Sequence, residues 1–515
     1  MNSAAKPGVN PWLVALVVSM ATFMEVLDTS IANVALSHIA GNLGAGSDEA
    51  TWVLTSYLVA NAVIIPISGW LSEVMGRKRF YMTCVAVFTI SSFLCGIAPS
   101  LTLLLIFRCL QGAGGGGLAP SEQSILADTF PPEQFGMAFA IYGIAVVAAP
   151  AIGPVLGGWI TDNFSWRWIF FINIPVGVIS LFLTYNLVQD PPSAVERSRK
   201  AREKGIRVDY IGFAFVVLGF GALQVLLDKG QEDDWLASNF IRIFAVLTVV
   251  GIMGLIIWET LVVDDPIVDL PLLKNPGLST SMALQFVVGF ILNATTVLIP
   301  EFVQRLLGYN ATHAGMVLMP GGFALMFMMP IAGRIVGKVQ PKYLMAFGLG
   351  ITAFSMFLLC RFDTEVDFEH LAVLRAIQCI GLPLFFIPLN TIAYGTLPPG
   401  KNNSASAMMN LMRNLGGGIG ISLASTLLIR RAQMHQDRLA ARASHYFPPF
   451  VHYMNSIGGF TTRNVVGIYS AIQLQSSMLA FLDVFKVFGI GCVLVICMVL
   501  MLKPVKKRTR QVAVH

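Results

Sequence analysis

The stretch RCLQGAG (108–114) returns as RAIQCIG (375–381), and that return decides the architecture. Arg108, Gln111, Gly114, Pro131 and Pro132 recur as Arg375, Gln378, Gly381, Pro398 and Pro399, at a constant offset of 267. Gly153 recurs as Gly420 at the same offset, while Pro66, Gly69 and Lys78 recur as Pro330, Gly333 and Lys342 at 264. Nine matches in two registers mark an internal duplication.

The repeat sits in a chain made for lipid. Its 515 residues are 55% hydrophobic and 12% charged, with a mean hydropathy of +0.71. Soluble domains carry about 25% charged residues. A spanning helix needs roughly 20 apolar residues, and fourteen windows of that kind follow one another, from 12–36 and 50–72 to 402–430 and 477–502. Runs this long fold as helices because lipid offers the backbone no hydrogen bonds. The repeated stretches lie eight windows apart, where a plain six-plus-six transporter would have six. The expected fold is therefore an all-α polytopic membrane protein of two six-helix halves plus an inserted helix pair, 209–228 and 239–261. Its parts are an N-terminal half (1–188), a basic linker with the inserted pair (189–277), a C-terminal half (278–502) with an outer loop (431–476), and a basic tail (503–515).

Lysine and arginine placement orients the chain. Arg77, Lys78 and Arg79 fill the second connection; Arg197, Arg199, Lys200, Arg202, Lys204 and Arg207 the sixth; Lys503, Lys506, Lys507, Arg508 and Arg510 the tail. An even number of spans puts all three on one side, so both termini are expected in the cytoplasm. The outer loop runs against this with Arg431, Arg438, Arg442 and Arg463, and is outvoted. The first apolar run is too long for a cleavable signal and carries acids, so it is expected to remain as the first span. The net charge is +6, and the basic residues cluster in a few loops, without the basic face of a nucleic-acid binder. The seven cysteines form neither a disulfide framework nor a CxxC pair, and His435, His445 and His452 lack metal-ligand spacing. No GxxxxGK[ST], HExxH or GxSxG is present, so neither enzyme chemistry nor a cofactor is expected.

Charges inside the spans carry the functional reading. An acid at a helix centre costs roughly 2.5 to 3.5 kcal/mol. Glu25 and Asp28, at i and i+3, share a face of helix 1. At 1.5 Å per residue Asp28 stands about 24 Å above the helix start, and Arg108 about 10 Å below the outer surface. Those depths are compatible. A neighbouring guanidinium keeps a carboxylate ionised, whereas loss of water favours the neutral acid; a proton carrier needs that tension. A static pair joining two helices is the competing reading. Arg108 and Gln111 present donors on one face of helix 4, and Arg413 falls near mid-membrane, where a lone arginine faces a polar cavity. Gly112/Gly116 and Gly153/Gly157 have the spacing of close helix contacts.

The tract GWLSEVMGRKR (69–79) resembles the cytoplasmic signature of the major facilitator superfamily. LDTSIANVAL (27–36), RCLQGAG (108–114) and GPVLGG (153–158) are similar to its drug:proton antiporter motifs, and WRWIFFINIPVG (166–177) to a signature of the fourteen-helix branch. Within that branch the chain resembles EmrB-type multidrug exporters. The resemblance implies proton-coupled export of lipophilic small molecules from the cytoplasm or inner leaflet across a bacterial inner membrane, with a periplasmic adaptor protein and an outer-membrane channel as partners. Together these readings lead us to expect proton coupling at Asp28, Glu25 and Arg108, and a substrate cavity touching Gln111, Arg413 and Asn33. A charge cluster of Glu73, Arg77 and Asp128 is expected as a conformational latch at the cytoplasmic face, and helix packing at Gly153, Pro154, Gly157 and Gly158. Glu73 stands where the family usually has Asp, and Gly337 replaces the acid in the second copy, so an acidic latch is expected in the first half alone. A nutrient or siderophore importer is the alternative, with a receptor or channel behind it.

Overall fold

Asn10 caps α1 (Pro11–Leu43) by accepting from the Trp12 amide at 3.0 Å, and Gly44, at φ 64°, ends it in the left-handed region. The computed structural model describes residues 8–203, 209–263, 266–309, 311–363, 366–398, 400–444 and 446–501. Pro399, His445, Lys204, Arg207 and the basic tail fall outside the described residues. After α1 come α2 (Ser47–Met75), α3 (Arg77–Gly96), α4 (Leu101–Thr129), α5 (Phe135–Asn163) and α6 (Trp168–Leu187). The inserted pair is α7 (Tyr210–Lys229) and α8 (Asn239–Leu261). The series closes with α9 (Pro276–Leu307), α10 (Ala311–Ile335), α11 (Pro341–Leu359), α12 (Phe368–Gly395), α13 (Asn402–Arg442) and α14 (Thr462–Leu500).

Packing repeats as the sequence does. In the first half α1 lies against α5 and α6, α4 against α2 and α3, and α3 against α6. In the second half α9 lies against α13 and α14, α12 against α10 and α11, and α11 against α14. The halves meet along α5–α10 and α2–α13, which are equivalent pairs under the same correspondence. The inserted α7 rests on α2 and also touches α13. The face of the bundle where α1 begins and α14 ends is the proximal face.

Thirteen of these helices are long and apolar enough to cross a membrane. The exception is α13, whose window 402–430 reads as a span by length but holds Asn402, Asn403, Asn410, Arg413 and Asn414. Its polar residues face the protein interior instead of lipid. Helices on the rim show the opposite pattern: Phe182 on α6 is 68% exposed and Val249 on α8 is 62% exposed, apolar surface whose natural solvent is lipid.

Glycines set the closest approaches. A Cβ at Gly112 would overlap the Tyr57 carbonyl of α2, and one at Gly116 would come within 2.7 Å of the Asn61 carbonyl. Gly153 and Gly157 let α5 ride over Ser30 and Ile31 of α1. Pro154, in the same stretch, lies inside a continuous helix and packs against Gly315 of α10. Gly76, at φ 90°, forms the turn between α2 and α3, a conformation strained for other residues. Gly112→Val should therefore force α4 away from α2, at a cost of about 1–3 kcal/mol or more. A melting curve of the purified protein should show a lowered transition.

Candidate functional site

Between the halves lies a cavity of about 260 Å³, near the lower end for small-molecule sites. Its walls come from α1, α2, α4 and α5 of the first half and α9, α10, α12 and α13 of the second, with Gln224 reaching in from α7. Apolar side chains such as Val146, Val147, Leu292, Leu318 and Ile421 share the lining with Asn61, Asn293, Asn410 and Asn414. Glu25, Arg375 and Arg413 are its charged residues. Glu25 accepts from Asn61 Nδ2 at 3.0 Å and from the Tyr57 hydroxyl at 3.3 Å. Arg413 donates to the Tyr142 hydroxyl at 2.5 Å. Its backbone is pressed against α9, where only glycine at 289 leaves room for the carbonyl.

Behind the cavity wall is a buried polar cluster. Arg108 Nη1 donates to Asp28 Oδ2 at 2.6 Å, and the two residues are 0% and 2% exposed. The other carboxylate oxygen accepts from Gln111 Nε2 at 2.9 Å and Asn173 Nδ2 at 2.7 Å. Arg108 also donates to the Val53 carbonyl at 3.0 Å and to Gln111 Oε1 at 2.7 Å, and lies over the Tyr57 ring, 4.5 Å from its centroid. Ser92 joins through Gln111 at 2.7 Å. A buried pair survives in a low dielectric when hydrogen bonds compensate its lost hydration; four helices supply them here, and Arg108 Nη2 is left without a hydrogen-bond partner.

The structure therefore divides the residues that the sequence groups. Asp28 and Arg108 meet, whereas Glu25, one turn earlier on α1, faces the cavity. Arg413 lines the cavity. Gln111 does not, because its amide is committed to Asp28, Ser92 and Arg108; Asn33 does not either, since it lies on an exposed face of α1. Those two assignments are corrected by helix rotation, which spacing alone does not fix.

Three features escaped sequence reasoning. Asn173 belongs to the 166–177 tract, and its amide completes the Asp28 site. Glu122 on α4 is fully buried and accepts from Ser19. Ser19, Thr22, Glu25 and Asp28 recur every third residue on α1, and that row was the signal for it. Arg375 occupies the place of Arg108 in the second half, but where Asp28 would stand at the 267 offset there is Thr295. Arg375 donates to Thr295 at 3.0 Å, Gln378 at 2.8 Å and Thr296 at 3.1 Å.

The halves are bolted together at the proximal face. Asp128 pairs with Arg77 and accepts from Asn402 Nδ2 at 2.7 Å across the interface. Glu73 stands half-buried one turn before Arg77. Ser124 bonds Asn403, and Gln123 Oε1 accepts from the Tyr394 hydroxyl and Asn410 Nδ2, both at 2.9 Å. Gly136 and Gly333 let α5 and α10 touch backbone to backbone. On the opposite face α13 and α14 run on as a hairpin tied by His435 to Asp483 at 2.9 Å.

Comparison with known proteins places this geometry. The family model for the Major Facilitator Superfamily matches residues 18–421. The chain is 37% identical over 496 residues to multidrug export protein EmrB of Haemophilus influenzae, covering 96% of each. It is 39% identical over 434 residues to fatty acid resistance protein FarB of Neisseria gonorrhoeae, covering 84% of each. Among solved structures, the proton:xylose symporter XylE matches with a TM-score of 0.58 at 15% identity, over 92% of this chain and 95% of that one. At that identity the match speaks for the fold alone.

Proposed function

Since the chain belongs to the major facilitator superfamily, a family of transporters and not of enzymes, we propose that it is a proton-coupled antiporter exporting lipophilic small molecules. It is a multi-pass membrane protein, and its bacterial relatives point to the inner membrane. The basic connections put the proximal face, with both termini, in the cytoplasm. The observation that carries the reading is the buried Asp28–Arg108 pair set directly behind a cavity between the two halves.

Asp28 is the proton carrier in this proposal. While ionised it holds Arg108 and Gln111 of α4 and Asn173 of α6 together; once neutral it no longer holds the guanidinium, and α1 and α4 are free to shift. Glu25, exposed to the cavity, is a second protonatable group that meets whatever fills it. Asp128, Arg77 and Asn402 form the cytoplasmic latch, with Glu73 beside them, and the closed proximal face leaves release to the outside as the next step. The periplasmic adaptor implied by the resemblance, and through it an outer-membrane channel, would meet the chain at the distal hairpin 431–476.

The test uses everted vesicles with an acid interior and a panel of lipophilic compounds. Wild type should collapse the pH gradient when a substrate is added. A chain that leaves the gradient intact with every compound, yet catalyses counterflow of a nutrient, would overturn export and favour import.

A further inference from the structure

Two acids of the first half share one base of the second. Glu122 on α4 is 0% exposed; one of its carboxylate oxygens accepts from Ser19, and the other, Oε2, forms no hydrogen bond among the described residues. The Thr22 hydroxyl of α1 stands beside that carboxyl, and one turn further along α1 Glu25 presents its own carboxyl to the cavity. The base is Arg413 of α13. Asn410, on the same face of that helix, donates to Gln123, the residue after Glu122, and the Arg413 charge acts on both Glu25 and Glu122. Asp28 also acts on Glu25, but Arg108 already neutralises it. The phenols of Tyr57, Tyr81 and Tyr142 and the Cys84 thiol face the two acids from α2, α3 and α5, and such groups are ordinarily uncharged near neutral pH. Arg375 is turned to Thr295, Thr296 and Gln378 and is not among the charges acting on either acid.

With both acids ionised, Glu25, Glu122 and Arg413 carry two negative charges against one positive, a net of −1. The Asp28–Arg108 pair, one against one, carries none. An unbalanced charge away from water is costly, and one bound proton removes the imbalance. We propose that Glu25 and Glu122 are two seats for a single proton, distinct from the proton of Asp28, with Arg413 as their common counter-ion. Its role in transport rests on the antiport reading and adds an inward path to it. Glu25 meets the cavity, whereas Glu122 lies seven residues before the end of α4, about 10 Å inside the proximal face. Between the seats the proton passes through Thr22, whose hydroxyl accepts it on a lone pair while giving up its own hydrogen. Gln123, bonded to Tyr394 and Asn410, closes the way from Glu122 to the cytoplasm. When that seal parts, Glu122 hands the proton to water and its oxygen keeps the electron pair.

The experiment records infrared difference spectra of the full-length protein in lipid nanodiscs, with no transported compound present, and reads the C=O stretch of protonated carboxyl groups near neutral pH. Glu25→Gln and Glu122→Gln should each remove the same one-carboxyl signal, because the acid that remains then has Arg413 to itself. Arg413→Gln should roughly double that signal, and Arg413→Lys should return it to the wild-type amplitude. Glu122→Asp keeps the acid and should keep the signal, which separates loss of the proton from loss of the fold. A signal that survives Glu25→Gln would make Glu122 a permanently neutral packing group and overturn the proposal, as would a signal unchanged by Glu122→Gln. Flux in proteoliposomes, with the same panel of lipophilic compounds, separates the two readings. Glu122→Gln should lose one proton per molecule transported; an unchanged ratio would remove the inward path and keep antiport. The expected spectra without proton-driven flux of any compound would keep the shared proton and remove antiport.

Discussion

Asp28→Asn should abolish proton-coupled efflux, lowering transport by at least about a hundredfold, while the protein still inserts and remains monodisperse. The carboxylate is the one acidic side chain in its cluster, and asparagine keeps an acceptor for Arg108 or Gln111 while removing the acid. Removing one partner of a buried ion pair can cost about 3–5 kcal/mol, so stability needs its own control. Arg108 keeps other support after the change, from the Val53 carbonyl, Gln111 Oε1 and the Tyr57 ring. The double variant Asp28→Asn/Arg108→Gln removes both charges and should melt near the wild-type temperature yet stay inactive. Efflux surviving in either variant would show that the pair only joins α1 to α4.

Asp128→Ala should open the proximal face. The side chain pairs with Arg77, 2% exposed, and accepts from Asn402 across the halves, so its loss removes a charge-assisted bond within the first half and a bridge to the second. At about 1.5–3 kcal/mol for a hydrogen bond to a charged group, the balance between access states should move roughly 10- to 100-fold. Spin labels near residues 130 and 398 should report the longer distance as the dominant population. An unchanged distance distribution would assign the closure to the Gln123–Tyr394–Asn410 cluster and the Gly136–Gly333 contact instead.

The fold was legible because lipid leaves the backbone one solution, and because the repeat at 267 carried its glycines and prolines to equivalent helices. The pairing of Asp28 with Arg108 was legible too, since rise per residue fixes depth along a helix. Rotation about the axis is less constrained. Gln111 sits one turn from Arg108, and nothing in the spacing says that its amide turns toward Asp28 and Ser92 and away from the cavity. Asn33 failed for the same reason. Asn173 and Glu122 were hidden by their neighbours: the first sits in a tract read only for its likeness to the fourteen-helix signature, the second follows Gly112 and Gly116, which were read for helix packing. Arg375 was in plain view as a repeat partner. Its meaning lay in Thr295, a residue notable only for what stands at the equivalent position.

α13 is 41 residues long, with Arg413 on the cavity and Arg442 at its far end. At 1.5 Å per residue those two points are about 44 Å apart, well beyond what a hydrocarbon core of about 30 Å requires. A tilt of about 10° around the level of Arg413 would swing the end through roughly 8 Å. The helix has the geometry of a lever arm, by which a small rearrangement around the cavity would become a larger stroke at its far end. His435 and Arg431 couple α14 to it through Asp483, so the whole hairpin would be carried along.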